Sequence, residues 1–258
     1  MKFLRNLIVS FSLYSRIPMP QFNWEEEDME HVLVFLPFVG TVIGGLVLLV
    51  DHFLVMFDFS GVSRAIALSL VPVLVTGGFH LDGFMDVTDA LSSFADKDKK
   101  LSIMKDPHIG AFAVIGLLTY CMVWFLSLET MIGTGSIMAI YVFAISFFVS
   151  RCFCGITSIC LKRAKEGGML SKEAGKAKKL DVIILAIMGI GAAVFMAYLT
   201  PYIGGIAVVS AILFTVFYQR LCEKNFGGVT GDTAGYYVCM CEVIMLVAIA
   251  VAVKILGM

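Results

Sequence analysis

The hydrophobic positions along this chain form long uninterrupted runs instead of alternating with polar positions. Seven apolar stretches occur, at about 32–57, 62–79, 109–128, 136–160, 182–200, 203–218 and 236–256. Most of them approach the roughly 20 residues that a helix needs to cross a bilayer. Nothing shows the ten-residue alternation of a membrane barrel, and a helix satisfies its own backbone groups in lipid. The pattern predicts an all-α fold, a polytopic integral membrane bundle with about seven transmembrane helices.

The first 20 residues predict an additional element. Segment 1–20 has a basic start and an apolar middle that is broken by serines and Arg16, and Pro18 and Pro20 follow. It lacks the small-residue cleavage site of a secretory signal. We therefore predict an uncleaved interfacial or re-entrant helix. Further along, the short "TPYIGG" between the fifth and sixth stretches predicts a tight helical hairpin.

The composition agrees with a membrane protein. Hydrophobic residues make up 59% of the 258 positions and charged residues 15%, whereas soluble domains have about half and a quarter. The net charge of -1 gives no indication of the basic surface that nucleic-acid-binding proteins have. We predict a single integral membrane domain over 1–258 that has the lipid bilayer, and no nucleic acid, as a partner.

The basic residues predict how the bundle is oriented. If the N-terminus is cytoplasmic and the spans alternate, 17 of the 19 Lys and Arg residues fall on the cytoplasmic side. The positive-inside rule favours this arrangement. It predicts a multi-pass protein of the plasma (inner) membrane whose active site faces the cytoplasm. Three cytoplasmic segments follow: an active-site segment at 80–108, a basic loop at 161–181 and a Gly-rich loop at 219–235.

A row of carboxylates follows the second apolar stretch. Asp82, Asp86 and Asp89, preceded by His80, have the spacing i, i+4, i+7 that puts them on one face of a helix. Like charges repel there, and the next lysine, Lys97, is eight residues past Asp89. Carboxylate oxygens suit Mg²⁺ or Mn²⁺, often together with substrate phosphates. The alternative is a solvated acidic face. Glycines that would let backbone or ligand approach closely flank the row at 77, 78 and 83.

A second cluster precedes the last apolar stretch. In "NFGGVTGDTAGYY" the glycines form a loop before a helix, and Thr230, Gly231 and Asp232 stand at the junction. Backbone N–H groups of such a loop could face an anion. The alternative is simple helix capping by Asp232 or Thr233.

Two further elements carry charge on the same predicted side. In "IMKDPHIGAF", Lys105, Asp106 and His108 form either a turn before a helix or a site with a cation, a carboxylate and an imidazole. Arg151 is expected to open the cytoplasmic end of the fourth span. It either binds phosphate bidentately or extends to the interface.

The distribution of charge bears on the class of function. Apart from Asp51, we expect the middles of the spans to lack charged residues, whereas transporters place carboxylates near the midplane. Carboxylates, glycines and bases at one membrane surface instead favour metal-assisted phosphoryl transfer. An ion-coupled transporter is the alternative.

Several motifs, in order from about residue 10 to 245, resemble the cobalamin synthase family, the adenosylcobinamide-GDP ribazoletransferases. They are "SRIPMP", "LPFVGTVIGG", "TGGFHLDGFMDVTDAL", "IMKDPHIGAF" and "GGVTGDTAG". The third element departs from relatives, which often have Arg and Ser where this chain has Lys105 and Pro107. The aspartate spacing is also similar to that of CDP-alcohol phosphotransferases. However, Asp86 and Val87 replace the Ala-Arg of their D-G-x-x-A-R motif.

The resemblance implies a reaction and its participants. A ribose hydroxyl of α-ribazole, or of its 5′-phosphate, attacks adenosylcobinamide-GDP at the phosphorus on the corrinoid arm, and GMP leaves. The family requires Mg²⁺. A phospholipid-type CDP-alcohol phosphotransferase is the alternative enzyme, and a corrinoid transporter or a scaffold for corrinoid enzymes is the alternative that is not an enzyme of this kind.

Roles for individual residues follow from the resemblance. Metal ligands would be Asp82, Asp86 and Asp89, completed by Asp232 or Asp106. Candidate bases are His80 and an aspartate that holds no metal. Candidate pyrophosphate contacts are Lys105, His108 and Arg151, and candidates for cradling nucleotide or phosphate are Thr230 and Gly231. Separately, the G-x-x-x-G pair Gly40 and Gly44 predicts close helix packing, within one chain or between the subunits of a homo-oligomer.

Overall fold

A computed structural model describes residues 2–164 and 169–257 of the chain, and this part contains eleven α-helices and no strand. The helices are α1 (Lys2–Tyr14), α2 (Val32–Met56), α3 (Gly61–Thr76), α4 (Phe79–Ser92), α5 (Lys97–Ile103), α6 (Ala111–Gly133), α7 (Ile137–Cys160), α8 (Met169–Lys176), α9 (Lys179–Leu199), α10 (Pro201–Asn225) and α11 (Gly231–Leu256).

Within the described residues, six helices are long and apolar enough to cross a membrane: α2, α6, α7, α9, α10 and α11. The helices α3 and α4 form a pair bent by 95°, which raises the number of spans to as many as seven. The prediction of an all-α polytopic membrane bundle is confirmed. Only Thr200 separates α9 from α10, as the predicted hairpin requires. The helix α10 continues to Asn225, so the Gly-rich loop is confined to 226–230.

The helices α2 and α7 pack against each other through small residues. A Cβ atom added to Gly40 would overlap the carbonyl group of Phe147, and one added to Gly44 would overlap that of Ala144. The two backbones therefore approach as closely as the G-x-x-x-G pattern predicts, because glycine leaves the space that a side chain would fill. This contact lies within one chain.

The second apolar stretch ends at a glycine elbow. Gly77 and Gly78 have φ angles of 65° and 82°, in the left-handed region that glycine adopts without steric cost. The chain leaves α3 and enters α4 there. The side chain of Arg16 covers Gly77, and the Arg16 N–H donates to the Val75 carbonyl over 2.7 Å. The predicted span at 62–79 is therefore α3, which ends at the elbow, and the helix α4 continues from it in another direction.

The helix α1 is attached to the bundle by polar contacts. The guanidinium of Arg5 donates twice to the Asp28 carboxylate, each time over 2.7 Å. The Tyr14 hydroxyl donates to Glu173 of α8 over 2.6 Å. At 13 residues α1 is short for a crossing helix. Its interfacial or re-entrant position remains a prediction.

One end of the bundle collects α4, α5 and the start of α11, and we call it the carboxylate face. Lys100 of α5 donates to Asn225 at the end of α10 over 2.8 Å. The N–H of Val229 donates to the carbonyl of Lys162, just past α7, over 2.8 Å. The opposite end holds the ion pair between Asp51 and Arg64. Of the predicted basic loop at 161–181, residues 165–168 lie outside the described residues.

Candidate active site

The helix α4 crosses the start of α11 at very short range. A Cβ atom at Gly83 would lie 2.7 Å from the Asp232 carbonyl oxygen, and one at Gly235 would lie 3.0 Å from the His80 carbonyl oxygen. The rings of Phe84 and Tyr236 stack beside this crossing, with their centroids 5.7 Å apart. Because Gly83 and Gly235 have no side chains, the two helices can approach closely, and the carboxylates of α4 come near Asp232.

The approach of these two helices makes a cluster of four carboxylates. The Asp86 carboxylate interacts unfavourably with those of Asp82, Asp232 and Asp89. Within the described residues, the carboxylates of the three α4 aspartates accept no hydrogen bond and form no ion pair. Lys105 attracts Asp232 and partly offsets its charge. The cluster is therefore an excess of negative charge that the described part of the chain does not neutralise.

The segment before α6 borders the same cluster. The Asp89 carboxylate occupies the space in which a side chain at Gly110 would lie. Four residues earlier, Asp106 accepts a hydrogen bond from the His108 N–H over 3.0 Å and from its ring Nδ1 over 2.7 Å. These bonds hold the pKa of Asp106 below its usual range. Asp106 and His108 thus satisfy each other at an exposed turn, which is the structural alternative considered for them.

The Gly-rich loop ends in a helix cap. The Thr230 hydroxyl accepts a hydrogen bond from the Thr233 N–H over 3.1 Å, and the Thr233 hydroxyl accepts one from the Thr230 N–H over 2.8 Å. The assignment of the cap to Asp232 or Thr233 was wrong, because the reciprocal bonds make Thr230 the N-cap. Asp232 thereby stays in the first turn, near α4. Gly231 is exposed with open space around it, and its role as a phosphate cradle remains a prediction.

The structure does not bring His80 to the carboxylates. His80 is two residues from Asp82, so the two side chains leave α4 on nearly opposite sides. Its ring is buried, stacks on Tyr14 at 6.3 Å and contacts Phe79 at 5.6 Å. Its Nδ1 atom has no hydrogen-bond partner among the described residues. This position makes His80 a poor base for a substrate held at the carboxylates.

Arg151 lies inside the bundle instead of at its surface. The side chain is 1% exposed and is nine residues before the end of α7. It donates to the Phe147 carbonyl over 2.9 Å and forms an ion pair with Glu242 of α11. The expectation that it opens the cytoplasmic end of the span and extends to the interface was wrong. Because Glu242 already balances its charge, the geometry does not support a pyrophosphate contact.

Glu242 is a residue that sequence reasoning missed. It stands within the last apolar stretch, and an acidic residue at such a position normally has a partner or a function. Recognising it would have paired it with Arg151 and corrected the expectation that the middles of the spans lack charge. Trp124 and Glu173, both buried, were also missed, because their surroundings depend on helices that are distant in sequence.

The donor set fits a hard divalent cation. Among the described residues, no three His, Cys, Asp or Glu side chains converge into a complete metal-holding group. Mg²⁺ usually takes one or two carboxylates together with water and substrate phosphates, so a full protein cage is not required. The unneutralised oxygens of Asp82, Asp86, Asp89 and Asp232 meet that need. Two residues, Asp232 and Asp106, were proposed to complete the metal site. Asp106 is the weaker candidate because it is already hydrogen-bonded to His108.

Comparison with known proteins agrees over the whole chain. The family model for cobalamin-5-phosphate synthase matches residues 6–250. The adenosylcobinamide-GDP ribazoletransferase of Lachnoclostridium phytofermentans is 35% identical over 257 residues, covering 98% of this chain and 95% of that protein. Those of Clostridium perfringens strain ATCC 13124 and Listeria monocytogenes are 33% and 30% identical, over 93% and 90% of this chain and 95% and 92% of theirs. No solved structure matches.

Proposed function

The chain belongs to the cobalamin-5-phosphate synthase family, and from that premise we propose that it joins α-ribazole, or α-ribazole 5′-phosphate, to adenosylcobinamide-GDP with Mg²⁺ as cofactor. As a member of this family it is an enzyme that transfers a phosphate-containing group. The observation that supports the proposal is the carboxylate cluster, in which α4 and α11 bring four carboxylates together and the described residues offset only part of the charge, through Lys105.

The proposed reaction exchanges a phosphoanhydride bond for a phosphoester bond. The ribose hydroxyl oxygen forms a bond to the phosphorus on the corrinoid arm, the bond from that phosphorus to the bridging oxygen breaks, and GMP leaves with that oxygen. The hydroxyl proton passes to a base. Reactions of this kind depend on positioning and on stabilisation of negative charge, which a divalent cation supplies when it is bound.

Different residues of the chain would bind the cation, accept the proton and contact the pyrophosphate. Asp232 and two of the three α4 aspartates, Asp82, Asp86 and Asp89, would hold the cation. We assign the base to an α4 carboxylate left free of the cation, because His80 points away from the cluster. Lys105, which is exposed and near Asp232, is positioned to contact the pyrophosphate and so to orient it for attack.

The location of the reaction is part of the proposal. We place the carboxylate face in the cytoplasm and the protein in the plasma membrane, since most Lys and Arg residues lie at that end or in its connections. A cysteine introduced at exposed Lys99 should react with a membrane-impermeant thiol reagent only after the cells are opened. One at exposed Ser60, between α2 and α3, should react in intact cells, and the reverse pattern would invert the orientation. The exposed native cysteines Cys121 and Cys160 are first replaced by serine.

The activity is tested by measuring GMP release. The purified protein is incubated with adenosylcobinamide-GDP, Mg²⁺ and either α-ribazole or its 5′-phosphate, with a chelator control. We expect GMP in amounts equal to the cobalamin product, and none with chelator. A parallel incubation with CDP-activated lipid and an alcohol acceptor should release no CMP. CMP without GMP, or flux of corrinoid into sealed vesicles without GMP, would overturn the proposal.

A further inference from the structure

A cavity of about 230 Å³ lies beneath the elbow, on the side of α4 that faces away from the carboxylate cluster. Its walls come from α3, α4, α6, α7 and α11, and most of the lining side chains are apolar. Aromatic rings contribute much of the wall on the α6 side, where Tyr120, Trp124 and Phe125 follow each other. Binding sites for organic ligands are typically apolar hollows with a few placed polar groups.

Three buried side chains that line this cavity each leave one nitrogen without a partner among the described residues. They are His80 Nδ1, Trp124 Nε1 and Arg151 Nε, in side chains of residues only 5%, 4% and 1% exposed. An indole N–H and a guanidinium N–H can only donate. Buried polar groups are normally satisfied, so three exceptions around one cavity indicate an occupant that accepts hydrogen bonds.

The charge and size of the cavity restrict the class of occupant. The positive charge of Arg151 is balanced by Glu242, which also lines the cavity, so a phosphate would arrive without a counter-ion. A volume of 230 Å³ is below the roughly 300–1,000 Å³ of sites for whole drug-sized ligands. It suits one ring system, and planar rings pack well against the aromatic wall. A lipid chain would fill the cavity but would leave all three nitrogens unsatisfied.

We propose that this cavity binds the aromatic base of the acceptor nucleoside, a neutral fused heteroaromatic ring whose unprotonated ring nitrogen accepts a hydrogen bond from Trp124 Nε1. The inference rests on the proposed function, in which α-ribazole, a benzimidazole nucleoside, is the acceptor. Once its other nitrogen carries ribose, the base has one ring nitrogen free to accept. His80, at the top of the cavity, is two residues from Asp82 along α4, so the cavity and the carboxylate cluster lie on opposite sides of the first turn of the same helix.

Trp124 is the best-placed of the three donors. Its Nε1 has no acceptor among the described residues. Arg151 already donates through Nη1 to Phe147, Ser150 and Glu242, and His80 can adopt a tautomer whose Nδ1 accepts instead of donating. Trp124 is therefore a specificity-determining residue for the base, and no role in the transfer step is assigned to it.

The test compares two probes that differ at one ring atom. 1-Methylbenzimidazole has the free ring nitrogen, whereas 1-methylindole has the same shape with a C–H in its place. Binding of each to the whole protein in nanodiscs is measured by calorimetry, without any substrate. We expect 1-methylbenzimidazole to bind about tenfold more tightly, as one hydrogen bond to a neutral acceptor allows. Equal affinities, or no binding of either probe, would overturn the proposal.

A variant locates the hydrogen bond. Trp124→Phe keeps an aromatic ring and loses the donor, so it should abolish the preference between the probes. Trp24→Phe changes the other tryptophan, which lies outside the cavity, and should leave the preference intact. Preference retained in Trp124→Phe would overturn the assignment of the donor. The comparison of the two probes on the unaltered protein stands even if Trp124→Phe fails to fold.

A kinetic measurement separates this inference from the proposed function. In the GMP-release assay, Trp124→Phe should raise the KM for α-ribazole about tenfold and leave the KM for adenosylcobinamide-GDP unchanged. Equal increases in both values would contradict a base-specific role. If no GMP forms at all, the proposed function fails, while the probe measurement still decides whether the cavity selects a heteroaromatic ring.

Discussion

Two groups of charged residues in this protein differ in whether the chain balances their charge. Arg151 and Glu242 lie inside the bundle and neutralise each other, with hydrogen bonds to Phe147 and Ser150 around them. The aspartates of α4 lie at one end of the bundle, beside a fourth carboxylate on α11, and the described residues offer them almost no positive charge. The chain itself pairs the charges of Arg151 and Glu242, and this pair is part of the packing of the bundle. For the carboxylates that are left unpaired at close range, we propose that a cation from outside the chain is the partner.

Removing one partner of the buried pair should have the largest effect. Glu242→Leu leaves the Arg151 guanidinium buried without a counter-ion, so we expect a loss of about 3–5 kcal/mol of stability. The double variant Arg151→Met, Glu242→Leu should recover most of this loss, because no buried charge remains. Thermal unfolding in detergent measures both. A double variant no more stable than Glu242→Leu would mean that the pair is not the cause.

Replacing an aspartate of the carboxylate cluster should lower the activity without lowering the stability. Asp82→Asn should lower the rate of GMP release at least about 100-fold, the upper range for loss of a group that supports a metal site. Membrane insertion should be normal. In the absence of Mg²⁺ its unfolding temperature should be equal to or slightly higher than that of the unaltered protein, because one like-charge repulsion is removed.

The matched control is Asp58→Asn, at an exposed position on the opposite end, where the left-handed backbone at φ 55° also suits asparagine. It should leave GMP release unchanged. Near-normal turnover in Asp82→Asn would refute the metal role of Asp82. A large drop in its stability without Mg²⁺ would show that the cluster is architectural after all.

Glu173 is an intermediate case, a buried carboxyl group that has a hydroxyl partner and, among the described residues, no ion pair. Burial raises its pKa to about 7, although the hydrogen bond from Tyr14 opposes the shift. A raised pKa means that the folded protein holds a proton which the unfolded chain releases above about 4.5. Its contribution to stability is therefore complete below that pH and is lost as the pH rises through about 7.

We expect the unfolding free energy to fall by on the order of 2–3 kcal/mol from this group between pH 4.5 and 7. Glu173→Gln should remove most of that decline. Unfolding temperatures at pH 5 and pH 7.5, for the unaltered protein and the variant, provide the measurement. Parallel pH profiles in the two proteins would show that Glu173 ionises freely in the folded state.

The smallest effect is expected at Lys105. Lys105→Ala removes an exposed cation near Asp232 and should raise the KM for adenosylcobinamide-GDP about tenfold, with a weaker dependence on salt. Lys254→Ala, near the end of α11 on the opposite side, is the matched control and should change neither quantity. A fall in the maximal rate at unchanged KM would place Lys105 in the transfer step instead of in binding.

Much of the fold was predictable because lipid permits few choices. Apolar stretches of about 20 residues specify crossing helices, and the G-x-x-x-G pair Gly40 and Gly44 marks a close contact. The 95° bend at Gly77 and Gly78, between α3 and α4, was not predicted. Two adjacent glycines permit a left-handed turn without requiring it, and the packing of α4 against α11 decides that the turn forms.

The candidate site was predictable in its chemistry and only partly in its assembly. The spacing of Asp82, Asp86 and Asp89 put them on one face of a helix, and alternation of the spans put Asp232 at the same end. His80 was grouped with them because it is near Asp82 in the sequence. Arg151 was grouped with them because it was predicted to lie at the same membrane surface. Both instead line a cavity on the other side of α4, which the order of residues does not reveal.

The sequence alone determined that this chain forms membrane helices, which end carries the acidic residues, and which family its motifs resemble, since hydrophobic length and motif order are local properties. The tertiary structure decided which charges are paired, which nitrogens remain unsatisfied and where a ring-sized cavity lies. Those features depend on contacts between helices far apart in the chain, and such contacts are fixed by packing.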